Sequence, residues 1–139
     1  MMDRTRLTAW TLTLAGLIPF VGLAALILLN PSEGGRWVVP LTVYGAIILS
    51  FLAGTRWGKA LSERNPRPAT LILSNLPPVA AWLTFIPGVP AEFRLLVLIF
   101  GLIAMLYWDF QPSPVWYRNL RIIATMGAAL SLGVVMQML

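Results

Sequence analysis

Five apolar runs follow one another along the chain, each close to the roughly 20 residues that carry a helix across a bilayer. The first, from Leu7 to Leu29, holds no charged residue at all. The second is uncharged from Val38 to Thr55 and then ends abruptly in Arg56, Trp57, Gly58 and Lys59. The breaks between runs are short and rich in turn formers: NPSEGG at 30–35, SERNPRP at 62–68, PGVP at 87–90 and QPSP at 111–114. Such clusters of Pro, Gly, Ser and Asn end helices and start turns. The pattern predicts an all-α membrane bundle of five transmembrane helices, at about 7–29, 37–61, 69–86, 91–109 and 118–138. All 139 residues are expected to form one membrane domain. The first run exceeds the 7–15 residues of a signal-peptide core and no Ala-x-Ala pattern follows it, so it is expected to be a retained helix.

Inside these runs some positions are not needed for lipid contact. Pro19 takes a backbone donor from the first helix and predicts a bend. Trp37 and Trp57 are twenty steps apart. That is about 30 Å of helix, matching the hydrocarbon thickness, so the two indoles are expected to mark the two interfaces. Along the second helix Ala46, Ser50, Gly54 and Trp57 fall on one side, and Gly54 with Gly58 repeats a small-xxx-small spacing. Small residues on one face let a neighbouring backbone come close, so this face is expected to be a packing face. The third helix contains Ser74, Asn75, Pro77 and Pro78 at its middle. Two prolines remove two donors and free the carbonyls of Leu73 and Ser74, predicting a kinked or broken helix in which Ser74 and Asn75 help to satisfy the backbone.

Composition changes the picture by exclusion. The chain is 58% hydrophobic and 11% charged, against about 25% charged residues in soluble domains. Without Cys or His, it has no disulfide, thiol nucleophile, thiolate metal site or imidazole proton relay. No paired carboxylate, phosphate loop or activated nucleophile is visible, so neither an enzyme nor a cofactor or metal site is expected. The net charge of +5 lies at the ends of apolar runs, so anionic lipid, not nucleic acid, is the expected counterpart. With the N-terminus on the cytoplasmic side, eight basic residues (Arg4, Arg6, Arg56, Lys59, Arg64, Arg67, Arg118, Arg121) face inward and two (Arg36, Arg94) face outward. The positive-inside rule then puts the N-terminus in the cytoplasm and the C-terminus outside.

Asp109 is the most informative charge. It closes the fourth helix, where the dipole disfavours an anion, while Arg118 and Arg121 open the fifth, where it disfavours cations. A pairing would offset both, and Arg56 is a third candidate partner. An inner-leaflet cluster of Arg56, Trp57, Asp109, Tyr117, Arg118 and Arg121 is therefore expected. It reads as a network locking helix ends together, as a pocket for an anionic headgroup or a polar cofactor head, or as part of a proton or ion path, for which a single carboxylate is little material.

Two stretches, YGAIILSFLAGTRWG and VWYRNLRIIAT, resemble the signatures of the domain of unknown function 3429 family, and LSNLPPVAAWL resembles its third helix. The resemblance covers nearly the whole chain and brings no activity with it. It implies a multi-pass protein of the bacterial inner membrane whose relatives reach the mitochondrial inner membrane. The expected function is a non-catalytic accessory, assembly or scaffold subunit that packs against a larger, bioenergetic membrane complex or against itself. The alternatives are a small oligomeric transporter or channel, or a lipid- or quinone-headgroup-binding protein.

Overall fold

The computed structural model describes residues 3–110 and 113–139, and among them all regular structure is helical. The elements are α1 (Arg4–Leu29), α2 (Gly35–Leu61), α3 (Pro68–Leu83), α4 (Ala91–Asp109) and α5 (Val115–Met136). Four of them, α1, α2, α4 and α5, are long and apolar enough to cross a membrane. The exception is α3. It stops at Leu83, three residues short of the expected end, and its 16 residues give only about 24 Å at 1.5 Å per residue. The turn expected at 111–114 includes Gln111 and Pro112, which lie outside the described residues.

Contacts along the helices fix their directions. On α2 and α4, Gly45 meets Leu98, Leu49 meets Gly101 and Arg56 meets Asp109. The offset stays nearly constant, so these two helices run parallel. Arg6 lies over the Trp116 ring and Leu17 meets Gly127, so α1 and α5 are parallel as well. The chain leaves α2 at the Arg56 end and enters α4 at the opposite end. Residues 62–90 must therefore climb the height of the bundle, and the short α3 does most of this on the outside of α2 and α4. Its far end is tied to α4 by Arg94, whose Nε donates to the Thr84 carbonyl (3.1 Å) and whose guanidinium sits 4.4 Å from the Phe85 ring centre.

The link into α4 follows from its residues. Val89 N–H donates to the Ile86 carbonyl, with Pro87 and Gly88 at the central positions and Gly88 at φ 95°. This is a type II turn, in which proline presets the first central residue and only glycine readily takes the positive φ of the second.

Of the kinked or broken helix expected for α3, the break is absent. The helix runs unbroken through Pro77 and Pro78. Proline's fixed φ near −65° is itself helical. Ser74 Oγ and Asn75 Nδ2 do not go to the carbonyls of Leu73 and Ser74. Both donate to the Leu71 carbonyl, at 2.9 and 2.8 Å.

The core is continuous from α1 to α5 and consists of Phe20, Ala24 and Ile27, Val38, Leu41, Leu49 and Leu52, Ala81, Leu95, Leu98, Leu102 and Met105, and Ala128, Leu132 and Val135. At three glycines a leucine of the neighbouring helix occupies the space where a side chain would stand. A Cβ on Gly101 would lie 2.7 Å from Leu49 Cδ2, one on Gly127 3.0 Å from Leu17 Cδ2, and one on Gly45 3.1 Å from Leu98 Cδ1. Tyr44 adds a polar tie, its hydroxyl donating to the Gly16 carbonyl at 2.7 Å, and its ring meets Phe20 edge to face. Interhelical hydrogen bonds of this kind contribute on average about 0.6 kcal/mol in membranes.

Most of the expected packing face on α2 is left uncovered by the other helices of the chain. Ser50, Gly54 and Gly58 are exposed, and a Cβ on Gly54 or Gly58 would meet nothing within 4 Å. The buried side of α2 is instead Leu41, Thr42, Gly45, Leu49, Leu52, Ala53, Arg56 and Ala60. Helical periodicity groups small residues on one side but does not say which side the other helices take.

Candidate functional site

Three helix ends meet around Asp109. It is the last residue of α4, and its side chain is buried between α2 and α5. Arg56 Nε donates to Oδ1 at 2.7 Å and Arg121 Nε donates to Oδ2 at 3.0 Å. Each carboxylate oxygen thus holds one guanidinium. Arg56 also donates to the Trp108 carbonyl, and its guanidinium lies 5.3 Å from the centre of the Trp108 ring. That carbonyl belongs to the last turn of α4, where no intrahelical donor remains. Ser113 Oγ takes the next one, donating to the Asp109 carbonyl at 2.7 Å. A cation stacked on an indole face and bonded to a free carbonyl offsets the dipole that opposes Asp109.

All three charged residues are withdrawn from the surface, at 8% exposure for Arg56, 6% for Asp109 and 7% for Arg121. Of the expected cluster, the structure brings together Arg56, Asp109 and Arg121. Tyr117 lies one turn before Arg121, and its ring packs edge to face on Trp116. Arg118 is half-buried and makes no ion pair with the described residues. It projects from α5 about 60° of arc away from Arg121, since three residues turn a helix through about 300°. Trp57 points outward, 41% exposed. Ser74 is buried against the bundle while Asn75 is exposed.

Beside this triad lies a cavity of about 450 Å³, walled by α1, α2 and α5 with Leu102 of α4. Its lining is largely apolar: Leu12, Leu17, Phe20, Ile48, Phe51, Leu52 and Ala128. Tyr117, Arg121 and Thr125 line it from α5. These three recur every four residues and so form one stripe on that helix. Thr125 was not expected at the site. Its place one turn beyond Arg121 is the signal that marks it, and a lone threonine in an apolar run is easily read as packing. Among the described residues, Arg121 Nη2 and Thr125 Oγ1 are the buried side-chain polar atoms without a hydrogen-bond partner.

In the triad both carboxylate oxygens already accept hydrogen bonds from guanidiniums. The triad can hold helix ends together and present unused donors. A chain whose long helices can cross a membrane and whose buried charges meet only one another is an integral membrane protein. It belongs to the family described as "Protein of unknown function (DUF3429)", which it matches over residues 5–137. Transmembrane protein 69 of Xenopus tropicalis is 36% identical over 127 residues, covering 87% of this chain and 50% of the relative. Transmembrane protein 69 of Mus musculus is 32% identical over 126 residues, covering 86% and 51%. The chain thus spans about half the length of these curated relatives, both of which are eukaryotic. No solved structure matches.

Proposed function

We propose that this protein is a non-catalytic accessory or assembly subunit that seats a transmembrane helix of a larger membrane complex against the outer face of α2. The observation that carries this reading is the exposed stripe Ser50, Gly54 and Gly58, on which a Cβ at either glycine would meet nothing of this chain within 4 Å. Half-buried Ala46 extends the same stripe by one more turn. Small residues four apart let two helix backbones come close enough for extensive van der Waals contact, which drives association in lipid. Alongside the stripe, Val43, Ile47, Pro78, Trp82 and Phe85 wall a groove between α2 and α3 of about 360 Å³. A single helix running along α2 would fill it.

Eight of the ten basic residues belong to the end of the bundle that carries Arg56, which supports placing that end on the cytoplasmic side of a cytoplasmic membrane.

A photo-crosslinker at Ile47, used in native membranes, tests the proposal. A single discrete adduct with another membrane protein is expected, and Gly54→Leu with Gly58→Leu should abolish it. A self-adduct of twice the mass would reassign the face to a homo-oligomer. No adduct, or one indifferent to the leucine substitutions, would sink the docking role.

A further inference from the structure

We propose that the cavity between α1, α2 and α5 holds the acyl chain of an amphiphile whose anionic head oxygen is bound by Arg121 and Thr125. The inference is independent of the docking stripe, which is made of other residues on a different face of α2. Four observations converge. The cavity's volume of about 450 Å³ falls within the roughly 300–1,000 Å³ of ligand sites. Its walls are apolar apart from the Tyr117–Arg121–Thr125 stripe and two threonines, Thr13 and Thr55, the second of which donates its hydroxyl to the Leu52 carbonyl. On that stripe sit two buried atoms with no partner, Arg121 Nη2 and Thr125 Oγ1. Both are donors, and buried donors left unpaired are uncommon because each loses its hydration without return.

Charge then selects the ligand. Two guanidiniums share one carboxylate in the triad, leaving one positive charge buried without a counterion. A bridging water would satisfy the two donors but leave that charge. A neutral carbonyl head, as in a quinone, would do the same. A carboxylate or phosphate oxygen satisfies donors and charge together.

Orientation agrees with this choice. The head site lies next to the triad at the basic end of the bundle, and the apolar walls extend from it toward Phe20 and Ala128, deeper along the helices. Leu12 and Phe51, on α1 and α2, line the cavity and are also 67% and 68% exposed. They mark a lateral opening through which a chain can pass from the surrounding lipid. An acyl chain entering there lies as it does in the leaflet, with its head at the arginines.

The test is native mass spectrometry of the full chain, delipidated in detergent and titrated separately with palmitate, phosphatidylglycerol, phosphatidylcholine and decylubiquinone. One bound palmitate or phosphatidylglycerol per chain is expected, with the other two probes at least about tenfold weaker, the loss expected when a charged hydrogen bond goes unmade. Preference for palmitate identifies a free fatty acid, and preference for phosphatidylglycerol a phospholipid. Thr125→Val should weaken binding about tenfold, Thr125→Ser should restore it, and Ala124→Phe should block it by filling the cavity. Unchanged helicity and unfolding midpoint of each variant show that the fold is intact. Equal retention of phosphatidylcholine, preference for decylubiquinone, no retention of any probe, or indifference to both Thr125→Val and Ala124→Phe would each overturn the assignment.

Discussion

Removing the negative charge of Asp109 should destabilise the bundle more than removing either arginine that holds it. With Asp109→Asn, Arg56 and Arg121 lose a shared anion that they contact at 2.7 and 3.0 Å, and two buried cations stay behind. Breaking a buried ion pair by deleting one partner costs about 3–5 kcal/mol. On insertion scales a charge costs about 2.5–3.5 kcal/mol at the membrane centre, and less toward a helix end. The loss expected for Asp109→Asn is therefore about 3 kcal/mol, or about two decades in the folding equilibrium. Arg121→Gln is different in kind. It leaves Arg56 and Asp109 as a neutral pair and one carboxylate oxygen short of a donor, a penalty of about 1–3 kcal/mol. Replacing the whole triad (Arg56→Met, Asp109→Leu, Arg121→Met) removes the buried charge altogether. By analogy with buried triads elsewhere it should be neutral or stabilising by about 1–4 kcal/mol. Unfolding in detergent micelles titrated with SDS, followed by tryptophan fluorescence, ranks the three variants. If Arg121→Gln is the most damaging, or if the apolar triple variant is as unstable as Asp109→Asn, the reasoning from unpaired charge is wrong.

Two further predictions follow from packing and topology. Gly101→Ala places a methyl group 2.7 Å from Cδ2 of the fully buried Leu49, so an overpacking cost of about 1–3 kcal/mol, offset in part by the gain of about 1 kcal/mol in helix propensity, is expected in the same assay; a clear gain in stability would mean that α2 and α4 are less closely packed. Because the chain has no cysteine, single-cysteine variants report topology directly: Ser62→Cys should react with an impermeant thiol reagent from the cytoplasmic side and Ser32→Cys only from the other, and the reverse pattern would invert the proposed orientation.

The helices themselves were legible in the sequence because their ends are chemical. Pro114 precedes α5, the Pro87–Gly88 pair turns the chain into α4, and Asn30, which ends α1, returns its side-chain amide to the Leu26 carbonyl at 3.2 Å. The pairing of Asp109 could be anticipated for the same reason, since an anion at a helix C-terminus inside an apolar chain needs a cation and few are available. Which arginines supply it was a tertiary matter. Arg118 and Arg121 are one turn apart on α5, and only the rotation of that helix against α4 chose Arg121. The same rotation brought Thr125 to the cavity. Most of all, the sequence could not tell an inward face from an outward one. In water, burial sorts apolar from polar residues, and the pattern reveals the core. In lipid, both faces of a helix meet apolar surroundings, so Gly45 and Gly101, which are packed, and Gly54 and Gly58, which are open, look alike until neighbouring helices are in place.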